Sequence, residues 1–279
     1  MIYVDKNTIA EPDILRNNNA DPNGEKQTAI NHFEENIGDK VEFRIFGTSA
    51  VRSALKQLFH NKCAYCESVI THISYPHVEH WRPKGCVAGQ ANHNGYYWLA
   101  SEWSNLLLAC SVCNGQAYKG NHFPISRGSN YAYRSTENLG DEQPLLINPC
   151  EETNPSRHFL YQKRGGMRGT TAKGRKSIAI YGLNRQDLLL ERRKIAKVVQ
   201  GYLDDIGYHV DELREAVAIG KDQAARLIFK KRATEKVKSL RRYCDSDFQY
   251  SAMTRQMIQV YRQDRIHDKD FMAATRSLI

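Results

Sequence analysis

The chain has 279 residues, 41% hydrophobic and 25% charged, enough for one large domain or two modest ones with a real core. No run of about 18 apolar residues occurs, which argues against a membrane span. Met1-Ile2-Tyr3-Val4-Asp5 has neither the basic end nor the apolar middle of a signal peptide, so a cytoplasmic protein is expected. The net charge of +9 is unevenly placed: residues 1–150 carry 13 Lys/Arg against 15 Asp/Glu, residues 151–279 carry 27 against 16, and residues 157–197 hold 12 against 2. Such a local surplus fits a surface that faces phosphates or, equally, a solvated helical face.

In chain order, residues 1–24 are polar and turn-rich and are expected to form a loose arm. A helix is predicted over residues 25–36, with Ala29, Ile30, Phe33 and Ile37 on one face. Thr48 is placed to cap a second helix carrying Val51, Leu55, Leu58 and Phe59, which leads into Cys63-Ala64-Tyr65-Cys66. Short strands are predicted at residues 76–81 and 106–109, and residues 126–176 read as irregular. From Ile178 onward the pattern is helical. Asn184 is a candidate cap for one helix with Leu188, Ile195, Val199 and Tyr202 on its stripe, and further helices fit residues 209–219, 222–243 and 247–266. In the last of these, Tyr250, Met253, Met257 and Val260/Tyr261 are expected to face inward.

Seven cysteines is an odd number and argues against a secreted disulfide framework. Cys63/Cys66 and Cys110/Cys113 form two Cys-x-x-Cys pairs with 43 residues between them. Two such turns can bring four thiolates around one tetrahedral Zn²⁺. A thioredoxin-like site would need only one pair and a βαβ surround, which is missing. Cys86, Cys150 and Cys244 are expected to be partly buried free thiols rather than ligands.

The segment between the pairs holds Val78-Glu79-His80-Trp81-Arg82-Pro83-Lys84 and Trp103-Ser104-Asn105-Leu106; Asn114 follows the second pair directly and Lys119-Gly120 comes soon after. An acidic residue beside a histidine at a strand end can hold a hard cation while the neutral imidazole takes a proton from water. His77, His72, His93 and His122 read as turn, surface or loop histidines. Trp81, Trp98 and Trp103 read as packing before base stacking. Gly169-Thr170-Thr171-Ala172-Lys173-Gly174-Arg175-Lys176-Ser177 nearly spells a P-loop, but an extra Arg precedes the Lys and no apolar strand leads in; a mobile loop touching nucleic-acid backbone is the better reading. The basic residues Arg226, Lys230, Lys231, Lys238, Arg241 and Arg242 fit a solvated helix face better than a binding surface.

The order Cys-x-x-Cys, acidic-His, Asn-Leu, Cys-x-x-Cys-Asn, Lys resembles the zinc-supported HNH endonucleases. The resemblance implies a ββα-metal core in an α+β protein, with flanking helices and a mostly helical C-terminal region. It implies that His80 is the general base, that Asn105 orients it, and that Asn114 and Glu79 bind a catalytic Mg²⁺ or Mn²⁺, while Cys63, Cys66, Cys110 and Cys113 hold a structural Zn²⁺. The family more often has Asp at the position of Glu79 and His at that of Asn114.

Further motifs are Lys62–Glu67, Val78–Lys84, Trp98–Asn105, Phe123-Pro124, Leu146–Pro149 and Tyr181–Arg185. Together they resemble, across about residues 48–195, the PtuB-like nuclease subunits of Septu-type and retron-associated anti-phage systems. That implies a PtuA-like ABC/SMC-type ATPase as partner. The expected organisation is an N-terminal arm and helix (1–47), an HNH nuclease domain (48–150) and a basic helical region (151–279). Arg82, Lys84, Lys119, Lys173, Arg175 and Lys176 are the candidate contacts to DNA or RNA. The alternative is a non-catalytic zinc-bound module that binds nucleic acid or serves as an adaptor.

Overall fold

Two short strands set the frame of the cysteine-bearing region in the computed structural model, which describes residues 1–38, 41–70, 75–162 and 164–278. His72 lies outside the described residues. Strand β1 (His77–His80) pairs antiparallel with β2 (Leu106–Ala109), Glu79 opposite Leu107 and His80 opposite Leu106. β2 is an unbroken apolar run with every residue fully buried, as expected of a strand covered on both faces. Trp81 continues the pairing, its N–H donating to the carbonyl of Asn105 at 3.0 Å.

The chain divides into two compact units, Ile2–Phe159 with Arg168–Asn184, and Met1 with Leu160–Met167 and Arg185–Ile279. The first contains helices α1 (Asp13–Ala20), α2 (Glu25–Glu35) and α3 (Ser49–Leu58) before the strands, and α4 (Ala172–Ile180) after them. Helices α2 and α3 lie where the spacing predicts them and α3 buries Val51, Leu55 and Leu58, but on α2 only Ala29 is fully buried and Ile37, expected on its inner face, falls past the left-handed cap Asn36 and is 58% exposed. The N-terminal segment is not a loose arm. Leu15 of α1 is completely buried, Val4 N–H donates to Pro149 at 2.9 Å, and Lys6 Nζ donates to the carbonyls of Trp103 and Leu106.

The segment after the second cysteine pair differs from a ββα unit. Among the described residues, 111–120 are a succession of turns, with Gly115, Tyr118 and His122 N–H groups bonding three residues back. Conversely, the basic glycine-containing stretch is a helix. Thr171 caps α4 by accepting from Gly174 N–H, and Gly174 lets the helix approach His158, whose carbonyl oxygen would lie 2.1 Å from an added Cβ.

In the second unit, one helix α5 (Gln186–Ala218) spans what the sequence suggests as two. Arg185, not Asn184, is its N-cap residue. Gly207 sits inside α5 where a Cβ would come within 2.2 Å of the Arg265 guanidinium, the mobile end of that side chain. Helices α6 (Gln223–Arg241), α7 (Ser251–Asp264) and α8 (Lys269–Ala274) complete the unit. Its core joins Val199, Leu203, Ile206 and Val210 of α5 to Ala233, Val237 and Leu240 of α6, with Ile258 and Phe271. Val260, expected inward, is 49% exposed. Among the described residues, no helix is long and apolar enough to cross a membrane.

Candidate metal centre and adjoining cleft

The first cysteine pair is seated against β2, because Ala64 N–H donates to the carbonyl of Leu108 at 2.8 Å. The second pair follows from β2 without a break, so one strand brings both turns together. In the first turn, Glu67 N–H donates to Cys63 at 2.9 Å and Glu67 takes a left-handed φ of 62° to redirect the chain. In the second, Asn114 N–H donates to Cys110 at 3.1 Å and Cys113 N–H points at Cys110 Sγ at 3.3 Å. The four sulfurs lie within 4.8 Å of one another, and all four cysteines are buried and free of disulfides.

Burial pushes the Cys63 thiol up, and the hydrogen bonds of neighbouring thiols, Cys110 foremost, push Cys113 up, whereas the bond from Cys113 holds Cys110 down. Four crowded, buried thiols suit a divalent cation that lets all four ionise together. The donor set and its dimensions fit tetrahedral Zn²⁺, whose bonds to sulfur are about 2.3 Å. A four-thiolate zinc site would have no open position for substrate water, so the cluster suits a structural ion.

Beside it lies a cleft of about 520 Å³ lined by Phe46, Glu79, His80, Lys84, Cys86 and Asn114, among others. His80 Nε2 is 2.9 Å from the carbonyl oxygen of Ala100. A carbonyl can only accept, so Nε2 carries the hydrogen and Nδ1 keeps its lone pair. The ring is buried, with the edge of Phe46 at 4.5 Å. Burial, joined by the charges of Lys84 and Lys119, lowers its pKa to about 3 and keeps the imidazole neutral.

Glu79 is buried on the same strand, and its Oε1 accepts from Tyr65 Oη at 3.1 Å and meets Lys119 Nζ at 3.2 Å. Burial raises the carboxyl and lowers the ammonium, and their mutual attraction opposes both shifts. Asn114 lines the cleft after the second knuckle, its Nδ2 3.4 Å from Nδ1 of the exposed His77. Glu79 and Asn114 are both among the residues that line the cleft, but the Glu79 carboxylate itself is occupied by Tyr65, Lys119 and the His80 backbone N–H.

The remaining expected residues separate. Asn105 is buried and hydrogen-bonded to the Arg82 backbone. The Arg82 side chain turns to Glu142 at 2.9 Å and lies over Trp81, Tyr96 and Phe123. Lys84 stays at the cleft, its Nζ 5.2 Å from the Phe46 ring centre. Lys119, expected on a nucleic-acid face, is fully buried. Lys173, Arg175 and Lys176 are exposed on α4.

All three tryptophans are buried, in keeping with packing roles. His93 is no surface residue: it is 2% exposed among Tyr96, Tyr131 and Tyr133. The sequence reading missed Tyr65, Phe46 and the Ala100 carbonyl. Tyr65, between two candidate zinc ligands, carried a positional signal; a backbone carbonyl carried none.

No known protein-family profile matches the chain, and no solved structure matches it. It is 38% identical over 198 residues to the Septu protein PtuB of Bacillus mycoides (strain KBAB4), covering 68% of this chain and 66% of that one. It is 30% identical over 155 residues to a Septu protein PtuB of Bacillus thuringiensis, 54% of this chain and 48% of that one. It is also 30% identical over 165 residues to the Septu protein PtuA of Bacillus mycoides (strain KBAB4), 58% of this chain but 23% of that much longer one. The chain thus spans about two thirds, half and a quarter of these relatives. By sequence it belongs to the PtuB family of Septu proteins.

Proposed function

We propose that the chain is a metal-dependent HNH-type endonuclease, carried by residues 48–150, that acts in the cytoplasm as the effector of an anti-phage defence system. The observation that carries this reading is a neutral histidine whose Nε2 is tied to a backbone carbonyl, on a cleft shared with Glu79 and Asn114. His80 Nδ1 accepts a proton from water as the water attacks a phosphodiester; the bond to Ala100 fixes the tautomer and the ring plane. Asn105 holds the turn that follows His80. Glu79 and Asn114 would hold Mg²⁺ or Mn²⁺, which would supply positive charge to the phosphate and the departing 3′-oxygen. Lys84 adds a positive charge at the cleft wall. Products with 5′-phosphate and 3′-hydroxyl ends are expected.

A PtuA-like ABC/SMC-type ATPase is the proposed partner. Two facts support it: the likeness to PtuB, and the likeness of more than half this chain to part of a PtuA polypeptide. Segments found joined in one chain and separate in others are good candidates for association. The test is incubation of wild type and His80→Ala, with and without the ATPase, on plasmid, single-stranded DNA and total tRNA with Mg²⁺ or Mn²⁺. Co-purification with the ATPase tests the partner independently.

A further inference from the structure

The outward side of α6 carries positive charge and apolar surface together. Over Gln223–Arg241 the helix has seven basic residues and one acidic residue, Glu235. Leu227, Lys231, Thr234, Lys238 and Arg241 recur at three- and four-residue steps, which stacks them along one side of the helix, and all five are exposed. The opposite side is taken up by the core, through Ala233, Val237 and Leu240. Lys236 is paired with Asp205 at 2.6 Å, whereas Lys230, Lys231, Arg232, Lys238 and Arg241 make no ion pair among the described residues. The end of the α5–α6 hairpin adds the apolar part. The core shared by the helices of this unit stops at Val210 on α5 and at Ala233 on α6. Beyond those residues, on either side of the connection, Val217 is 52%, Ile219 62%, Leu227 62% and Ile228 50% exposed. Scattered singly, such residues need no explanation; gathered at the end of one hairpin, they mark a contact surface.

We propose that this end of the hairpin and the outward side of α6 dock an acidic amphipathic helix of a protein partner. Its apolar residues lie against Leu227 and Ile228, and its carboxylates along Lys231, Lys238 and Arg241. Charge complementarity selects this occupant. A second copy meeting α6 with α6 would bring seven cations against seven. A membrane-surface helix keeps its cations and its inserted apolar residues on opposite sides, and here the apolar side of α6 is already spent on the core. Nucleic-acid phosphates would answer the cations and leave Leu227 and Ile228 bare. That the partner is the ATPase rests on the reading proposed above; the chemistry of the surface does not.

The experiment measures binding of the full zinc-loaded chain to the ATPase over a salt series, with melting temperature and zinc content alongside. Leu227→Ala with Ile228→Ala should weaken binding by about 10–100-fold and leave the salt slope as it is. Lys231→Glu with Lys238→Glu should weaken it comparably, chiefly by slowing association, and flatten the salt dependence. All four side chains are exposed, so melting and zinc content should stay at wild-type values. Benzoylphenylalanine in place of Leu227 should crosslink to a segment of the ATPase that is acidic and has apolar residues at helical spacing. The proposal is overturned if either pair of changes leaves ATPase binding as in wild type, or if the crosslink falls in a basic segment. It is also overturned if the same changes abolish binding to duplex DNA or to phosphatidylserine-containing vesicles and spare the ATPase. Equal ATPase binding by wild type and variants leaves the partner reading standing without this surface; a wild type that does not bind the ATPase removes that reading and this proposal together.

Discussion

Asn105 clasps the backbone of Arg82 from both sides: its Oδ1 accepts from Arg82 N–H at 2.8 Å, and its Nδ2 donates to Arg82 C=O at 3.0 Å. The same Nδ2 reaches the carbonyl of Leu99 at 3.2 Å, one residue before the carbonyl that holds His80. One buried carboxamide therefore locks both walls of the histidine's surroundings, the turn after it and the segment it leans on.

Replacing Asn105 by Ala should strand two backbone groups, the N–H and C=O of Arg82, while the Leu99 carbonyl keeps the Glu102 N–H. Each unsatisfied group costs about 1–3 kcal/mol before relaxation, and a net loss of roughly 2–4 kcal/mol is expected. Asn105→Asp keeps the acceptor for Arg82 N–H but turns an oxygen toward two carbonyls, so it should be no better tolerated. Thermal melting and cleavage rates check both variants. An Asn105→Ala protein with wild-type melting and wild-type rate would show that the clasp positions nothing.

One zinc per chain is expected by elemental analysis. Cys110→Ser should lower the zinc content and the melting temperature together, because metal binding and local folding are coupled. Cys63→Ser should do the same. The sign of the pH effect follows from the ligands: protons compete for thiolates, so zinc retention should fall as pH drops and be favoured as it rises. Chromophoric chelator release assays across pH measure this. A chain that folds identically with no metal bound would show the cluster to be an ordinary set of core thiols.

The strands, the cysteine turns and the residues around His80 were legible because their signals are local: an apolar run, a fixed Cys spacing, an acidic residue beside a histidine. Roles that depend on partners distant in sequence were not legible. Lys119 reads as a surface cation until Glu79, 40 residues earlier, is seen 3.2 Å away. Helix α4 was hidden because Gly174 and its basic neighbours mimic a loop; the glycine answers to close contact with His158. The ordered N-terminal segment was hidden for a similar reason. Its polar composition signals an arm, yet a single buried Leu15 and the Lys6 bonds to the carbonyls of Trp103 and Leu106 tie it down.

The exposed basic side chains of α4 give a separate prediction. If Lys173, Arg175 and Lys176 contact phosphates, replacing all three by Ala should weaken nucleic-acid binding regardless of sequence. It should also reduce the slope of log K against log salt by up to about 0.9 per lost duplex contact. Fluorescence anisotropy over a salt series reads this directly. An unchanged slope would return these residues to the solvated face of an ordinary helix.

The most direct test of the central claim is cleavage by wild type and His80→Ala, at equal zinc content, with Mg²⁺ or Mn²⁺ and the proposed ATPase partner present. Loss of the general base should lower the rate by about 10²–10⁴-fold while Mn²⁺ binding at the Glu79 and Asn114 donors persists. Equal rates from the two proteins on every substrate, or no divalent-dependent cleavage from wild type, would contradict the assignment.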